Sequence, residues 1–447
     1  MIERTAIRRL LIANRGEIAV RIIRSCREMG IKTVAVYSTA DKDSLHVRLA
    51  DQAVCIGPPP ASLSYLNRSS LIHAAAHTDC DAIHPGVGFL SENAEFARLV
   101  REKGLIFIGP DPEVIKLLGD KVIARETAKR FGLPVTPGTE EAVSDPAAAA
   151  ELAEAIGFPV IIKAAAGGGG KGMRIVREKK NLAENLSIAG AEAEANFADR
   201  RVFIERYLEN PRHVELQILA GGGKVAVLGE RDCSVQKNHQ KLIEESPSPG
   251  VTGAMRERMT RGAVRLFREL KYQGAGTIEF LVEGENFYFM EVNARLQVEH
   301  PVSEFITGVD IVRQQILAAG RGCIEPDSGE AQLSGWALEC RINALTPGRI
   351  TRLEVPGGPG VRFDSCLYAG CTIPPYYDSM AAKLIVHGPD RLRALTRMQR
   401  ALEELVIEGI ETNKAEQQRI IASPRFRSGN FGTSLYNTLI KEAEDAL

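Results

Sequence analysis

The sequence predicts a mixed α/β and α+β protein of several domains. Three observations carry that expectation. The chain has 447 residues, more than one ordinary core holds, so two to four domains are expected. Its first 115 or so residues alternate strands and helices in the manner of an open, parallel sheet. A polar-studded hairpin over residues 276–293, and β-rich residues 335–388 with closing helices, add an antiparallel part.

The elements follow in order. Residues 10–13 are a short apolar run that ends at Asn14-Arg15-Gly16. A helical pattern comes next, with Ile18, Ile22 and Cys26 on one face and Arg21, Arg24 and Glu28 elsewhere. Gly30 stops it, and residues 33–37 form a β-branched strand. Such a strand–helix–strand unit is a right-handed parallel crossover. Residues 82–84 and 106–108 are further strands, with a helix near 93–103 between them. The first turn reads Ala-Asn-Arg-Gly-Glu, not Gly-x-Gly-x-x-Gly. The dinucleotide fingerprint is missing, which argues against a nicotinamide enzyme.

A helix at 121–130 ends at Phe131-Gly132-Leu133-Pro134. Then come an Ala/Glu-rich helix at 146–156, a strand at 159–163, the glycine run 167–170 and another strand. This unit of roughly 70 residues reads as a small, separately hinged subdomain. Gly221-Gly222-Gly223 is a hairpin turn. Residues 321–334 are short and polar and read as a linker.

Composition narrows the function classes. Hydrophobic residues make up 44% and charged residues 25%, the values of a globular protein. A net charge of −1 gives no reason to expect nucleic acid or an anionic membrane as partner. No run of about 18 apolar residues exists, so no transmembrane helix is expected. Residues 1–9 lack the apolar core of a secretory signal. Cys26, Cys55, Cys80, Cys233, Cys323, Cys340, Cys366 and Cys371 are scattered with no Cys-x-x-Cys pair. Reduced cysteines in a cytoplasmic enzyme are the simplest reading, and a zinc site is not expected.

Four polar constellations stand out. Ala166 to Met173 hold a glycine run followed by Lys171-Gly172 between two strands. Glycine lets backbone N–H groups approach phosphate oxygens, and lysine adds charge. A Walker A loop needs Ser or Thr after the lysine and then a helix, so this is not one. It is a flexible hairpin tip or a lid over a nucleotide. In the hairpin over 276–293, counting back from a turn at 283–286 sets Glu279 and Glu291 roughly opposite each other, with Asn293 two residues beyond Glu291 on the same face. Two carboxylates and a carboxamide on an apolar hairpin need compensation, and Mg²⁺ bridging to ATP phosphates provides it. An exposed sheet face with ordinary charges is the bland alternative. Arg295, Gln297 and Glu299 alternate and point one way if the segment is extended. Arginine offers a fork for a small oxyanion such as bicarbonate, and Glu299 a general base; a surface salt bridge explains the pair alone. In residues 230–245, Lys241 and His239 suit neutralising a transferring phosphate. Read alone, that run is a solvated loop.

Together these motifs resemble the biotin carboxylase family. The likeness runs from Ile12-Ala-Asn-Arg-Gly-Glu-Ile to about Tyr436. It is carried by His84-Pro-Gly, Phe89-Leu-Ser-Glu-Asn93, Gly119-Asp-Lys121, the glycine run, Glu209-Asn-Pro-Arg-His-Val-Glu215, Glu230-Arg-Asp-Cys-Ser, His239-Gln-Lys241, Gln297-Val-Glu-His-Pro301, Glu339-Cys-Arg-Ile-Asn343 and Pro374-Pro-Tyr-Tyr-Asp-Ser379. The resemblance implies an N-terminal Rossmann-like open sheet over 1–115. It implies a central ATP-grasp over 116–320, with a mobile lid at about 134–203, and a C-terminal biotin-carboxylase domain over 335–442. It also implies roles. Lys121, Lys163, Gly168, Gly169, Glu205, Leu208, His213, Gln236, His239 and Leu281 hold ATP. Glu279, Glu291 and Asn293 hold Mg²⁺ or Mn²⁺. Lys241 and Arg295 act at the γ-phosphate and bicarbonate, Gln297 and the main chain of Val298 complete that pocket, and Glu299 is the general base. Arg341 stabilises the biotin enolate, with Val87 and Gly88 beside the biotin site. Bicarbonate attacks the γ-phosphorus to give carboxyphosphate, whose CO₂ is captured by biotin in a closed site.

The sequence departs from the family pattern in four places. Val87 stands where the family has Tyr, and Leu345-Thr-Pro-Gly-Arg-Ile350 follows Asn343-Ala344 several residues early. The glycine run is one glycine shorter, with Ala166 in its place, and Asn-Ala-Arg replaces Asn-Thr-Arg. The first two lie on the biotin side, so weaker use of free biotin or an altered carrier dock is expected. The rivals are another ATP-grasp ligase and a non-catalytic nucleotide-binding subunit. The sequence shows no Met-Lys-Met carrier motif. A separate biotin carboxyl carrier protein and a carboxyltransferase are therefore the expected partners, in a complex such as an acetyl-CoA carboxylase; the final acceptor, whether acetyl-CoA, propionyl-CoA, pyruvate or urea, is chosen by the transferase. A homodimer is expected too, with Arg21, Arg24 and Glu28 at its interface or simply on a solvated helix face.

Overall fold

The computed structural model describes residues 7–139, 143, 146–164, 173–197 and 199–444. The first sheet holds β1 (Arg9–Ile12), β2 (Lys32–Ser38), β3 (Gln52–Gly57), β4 (Ala82–His84) and β5 (Ile106–Phe107), in the order β3-β2-β1-β4-β5. Every pairing is parallel. The expected strand 33–37 is β2, and the expected strand 82–84 is β4. The helix Gly16–Glu28 follows β1 and buries Ile18, Ile22 and Cys26, as its periodicity requires. Arg21 does not face solvent. It donates to Ser25, Glu304 and Asp310 inside the fold, so its charge is already used within this chain.

A small antiparallel sheet follows, built from β6 (Val160–Ala164), β7 (Arg174–Val176) and β8 (Val202–Arg206). The helices Pro146–Ile156 and Leu182–Phe197 cover it, and Ala149, Ala153, Leu186 and Ala189 close a core of its own. The glycine run, with Gly168 and Gly169, lies outside the described residues.

The third sheet has nine strands and carries the chemistry. Its first strands are β9 (Arg212–Gly221), β10 (Lys224–Lys237), β11 (Gln240–Ser246), β12 (Gly274–Glu283), β13 (Asn286–Asn293) and the short β14 (Gly329–Glu330). Later in this sheet come β15 (Trp336–Asn343), β18 (Val361–Ser365) and β20 (Met380–Gly388); outside it lie β16 (Gly348–Arg349), β17 (Arg352–Glu354), β19 (Thr372–Ile373) and β21 (Val406–Glu408). The order is β13-β12-β9-β10-β11-β15-β20-β18, with β14 paired to β10. Strands from both sides of residues 321–334 thus share one sheet, joined where β11 meets β15. That segment is also no plain linker, because β14 within it pairs with β10. The pairs β16–β19 and β17–β21 stand apart. One apolar cluster runs from Leu11 and Phe96 of the first unit to Ile278 and Phe289 of the hairpin, so the two units are packed together.

Candidate functional site

Antiparallel register sets the site. Glu291 lies opposite Glu279, Glu279 opposite Glu215, and Glu215 opposite Arg231. Directly opposed residues share a face, so four charged side chains form a row across β13, β12, β9 and β10. The sequence reading set Glu279 and Glu291 roughly opposite; a bulge between Glu279 and Phe280 makes them directly opposed, and Asn293 Nδ2 donates to Glu279 Oε1 at 2.9 Å.

Lys241, at the start of β11, reaches into this row. Its Nζ lies 2.6 Å from Glu215 Oε2, 3.1 Å from Glu279 Oε1 and 2.7 Å from Glu299 Oε1. His213 is 2.7 Å from Glu279 Oε2, and Gln236 contacts its other ring nitrogen at 2.7 Å. Arg231 is wholly buried and donates to Glu215, Gln217 and Ser303. The run 230–245 is therefore a buried hairpin and not a solvated loop. Its charges are inside because partners from β9 and β12 satisfy them. Its tip, Asn238 and His239, has positive φ and stands exposed together with Gln240.

Glu299 is fully buried. Lys241 holds one oxygen, and Arg341 Nη2 holds the other at 3.0 Å. Burial alone raises its carboxyl, but Lys241, Arg341 and Arg231 hold it well below the usual carboxylate range. Lys241 behaves in the mirror sense. Burial opposes its charge, and Cys233, Glu215, Glu279 and Glu299 restore it. Glu215 is raised by burial against Arg231 and Lys241. Glu291 is raised by burial and by the Glu279 charge, while Lys121 Nζ stands 3.6 Å away.

The stretch after β13 is not extended. It turns, and Glu299 caps the helix His300–Thr307 with φ −81° and ψ 11°. Strand alternation is thus not what aligns Arg295, Gln297 and Glu299. They converge because the turn folds back on the sheet: Arg295 donates to Glu92, Asn293 and Gln297, and Gln297 donates to Glu279 at 3.3 Å. The Val298 carbonyl is engaged by the buried Lys383 at 2.8 Å.

On the other side, Lys163 and Arg125 both hold Glu205, at 2.7 and 2.9 Å. Burial would raise Glu205, and these cations lower it. Lys121, Lys163 and Glu205 line a cavity of about 410 Å³ between the small sheet and the helix Lys121–Arg130. Leu208 is buried, and Leu281 lies opposite His213 across β12 and β9. Val87 is half-buried against the cluster that holds Leu296, its carbonyl accepting from Asn14; Gly88 is exposed, with φ +66°. The short stretch after Asn343 is pinned to residues 411–413, and Leu345 stays exposed.

The structure adds residues that were not singled out as site residues. Glu215 is two positions from His213, so the two-residue period was the available signal. Arg125 comes from the helix Lys121–Arg130, Glu92 from the turn before the helix Ala94–Glu102 and Glu244 from β11; the last two lie within runs noted in the sequence, but nothing local shows which residue each would meet.

Glu279, Glu291 and Asn293 present oxygen donors, the set a hard divalent cation takes. The like charges of Glu279 and Glu291, side by side and half-compensated, are what such an ion relieves. The cationic Lys121, Lys163, Lys241 and Arg295 suit phosphate and a small oxyanion.

Comparison with known proteins agrees with this chemistry. Residues 6–115 match the family model "Biotin carboxylase, N-terminal domain", and residues 339–438 match "Biotin carboxylase C-terminal domain". Residues 120–323 match "Carbamoyl-phosphate synthase L chain, ATP binding domain". The chain is 51% identical over 437 residues to a biotin carboxylase of Haemophilus influenzae, covering 96% of this chain and 97% of that one. It is 48% identical over 434 residues to a pyruvate carboxylase subunit of Methanothermobacter thermautotrophicus, covering 95% and 88%. Among solved structures, it resembles the biotin carboxylase domain dimer of Hydrogenobacter thermophilus 2-oxoglutarate carboxylase, in complex with MgADP, ADP and bicarbonate. The TM-score is 0.91 at 43% identity, with 98% of each chain covered.

Proposed function

This chain belongs to the biotin carboxylase family of ATP-dependent ligases, and we propose that it carboxylates biotin on a separate carrier protein by way of carboxyphosphate. The observation that carries the mechanism is Glu299, buried and bridged between Lys241 and Arg341. One cation faces the phosphate side, the other the acceptor side.

Glu299 takes the bicarbonate proton. As a tightly paired carboxylate it is a weak base, so it must first be released. The incoming γ-phosphate competes for Lys241, and Arg295 with Gln297 fixes bicarbonate beside it. The bicarbonate oxygen then attacks the γ-phosphorus, the bond to the β-phosphate oxygen breaks, and ADP leaves. Carboxyphosphate parts into CO₂ and phosphate. The phosphate accepts the ureido N–H proton of biotin, and that nitrogen bonds to CO₂. Arg341 meets the negative charge that grows on the ureido oxygen. Bound Mg²⁺ or Mn²⁺ neutralises phosphate charge, held by Glu279, Glu291 and Asn293. Lys121, Lys163, Glu205, His213, Gln236, His239, Leu208 and Leu281, with Gly168 and Gly169 of the lid, hold the nucleotide. Lid closure over 134–203 keeps water from the mixed anhydride.

The partners are a biotin carboxyl carrier protein, a carboxyltransferase and a second copy of this chain. The acceptor is acetyl-CoA, which places the chain in fatty acid biosynthesis in the cytoplasm. No helix among the described residues is long and apolar enough to cross a membrane. The test is ADP release with MgATP and bicarbonate, with and without free biotin or a biotinylated carrier. Biotin-stimulated, bicarbonate-dependent turnover is expected. Bicarbonate-dependent turnover that ignores both forms of biotin would overturn the acceptor.

A further inference from the structure

Arg341 is gripped from two sides. Its Nη2 donates to Glu299, and its Nε donates to Glu244 Oε1 at 2.6 Å. The reaction above uses the first contact and leaves the second unexplained. Glu244 on β11 lies directly opposite Glu339 on β15. Opposed residues of an antiparallel pair share a face, and Arg341, two residues beyond Glu339, lies on it as well. Lys383 of β20 is registered with Arg341. Glu244 and Glu339 are wholly buried. Among the described residues, Glu244 Oε2 and both oxygens of Glu339 have no hydrogen-bond partner. Two buried carboxyls with three unsatisfied oxygens are costly in a purely structural role. An apolar pair would join β11 to β15 without that cost, and Glu299 already pairs the Arg341 charge.

We propose that Glu244, backed by Glu339, is a positioning residue that holds Arg341 by Nε while its Nη edge works on the ureido group of biotin. The inference rests on the biotin carboxylase reading. When Glu299 takes the bicarbonate proton, it loses the charge that pairs Arg341. Nη2 is thereby freed at the step that needs it. Glu244 keeps the guanidinium plane fixed through that exchange, with its outer edge turned to the acceptor. The titratable groups around Glu244 are Arg341, Glu339 and Cys340 from β15, Cys233 from β10, Glu299 from the turn before its helix, and Lys241 from its own strand; both thiols are held neutral by burial. Lys383 faces Glu339 from β20. Like charges on opposed strands disfavour ionising both carboxyls, so the pair holds a proton. Burial pushes Glu244 up to about 7 against the pull of Arg341, and it pushes Glu339 well above the ordinary range against Lys383. Below about pH 7, then, the Nε anchor loses its charge.

The test compares ADP release with and without free biotin, in MgATP and bicarbonate, from pH 6 to 9. In the wild type, biotin-dependent kcat is expected to fall as pH drops through about 7. Glu244→Gln is expected to lower biotin-dependent kcat about tenfold relative to biotin-independent ADP release in the same preparation, and to flatten that acid limb. In an Arg341→Lys background, Glu244→Gln is expected to add no further loss, because the two act as one unit. Glu244→Asp serves if Glu244→Gln does not fold. It keeps the charge but draws the anchor back by one methylene, so it retains the acid limb with a several-fold lower biotin-dependent kcat. Equal falls in both activities, additive losses, or an unchanged Glu244→Asp would overturn the role. A wild type without any biotin response would instead overturn the biotin reading itself.

Discussion

Replacing Lys241 with Met removes the one cation that three carboxylates share. Its Nζ lies 2.6, 3.1 and 2.7 Å from Glu215, Glu279 and Glu299, and only 12% of its side chain reaches solvent. Met keeps the stem and its packing. Each pair, at about 4 Å between charge centres, is worth about 4 kcal/mol at an effective dielectric near 20, and the desolvation of the ammonium offsets much of that. Breaking a buried pair on one side costs about 3–5 kcal/mol, because charge is left uncompensated. A proton taken up by one of the carboxyls relieves part of this. The chemical step loses a preorganised cation at the transferring phosphate, worth about 100- to 1,000-fold in kcat. Bicarbonate-dependent ADP release and the thermal midpoint measure the two effects separately. Lys241→Met/Glu215→Gln removes the surplus carboxylate, so it should recover most of the stability and none of the rate. A single variant within about fivefold of wild type, or a double variant that regains turnover, would refute the reasoning.

Three further outcomes are expected. Val87→Tyr fills the half-buried position beside exposed Gly88 and should lower the KM for free biotin several-fold, with ATP kinetics unchanged; an unaltered biotin KM removes Val87 from that site. Glu291→Gln withdraws one oxygen donor and should raise the Mg²⁺ needed for half-maximal ADP release by about tenfold. An unchanged Mg²⁺ titration would place the metal elsewhere. Asp41 is held below its usual value because Arg15 and Tyr65 outweigh the burial that raises it. A depressed carboxyl stabilises the fold above its unfolded value near 3.8, and that stability is lost as pH falls through the folded value. Asp41→Asn should therefore flatten the acid side of the stability profile, and an equally steep profile would show that Asp41 does not drive it.

The fold and the site were legible in the sequence to different depths. Strong periodic segments read true: the helix at 121–130, the helix at 146–156 and strand 82–84 stand where the pattern sets them. Gly-turn logic placed the hairpin and set Glu279 and Glu291 roughly opposite each other, but the direct pairing comes from a bulge between Glu279 and Phe280 that the count from the turn does not contain. Local reasoning failed where partners are distant in the chain. Residues 230–245 look solvated in isolation, yet Glu215 and Gln217 bury Arg231, and Arg256 holds Glu230. Arg21 looks like a surface charge, yet Glu304 and Asp310 enclose it from nearly 300 residues away.

By itself, then, the sequence determined which groups are available. It supplied the oxygen donors of the hairpin, the cations for phosphate, the arginine and glutamate after it, and the ordered motifs that match one enzyme family. It did so because residue type and short spacing carry donor chemistry and local periodicity. Only the tertiary structure decided which groups meet. Lys241 ties three carboxylates from two strands and a turn, Arg341 spans Glu299 and Glu244, and residues on both sides of 321–334 share one sheet. Register between strands far apart in the chain is set by the burial of whole faces. The charge pairing that follows from it has no signature within any short stretch of sequence.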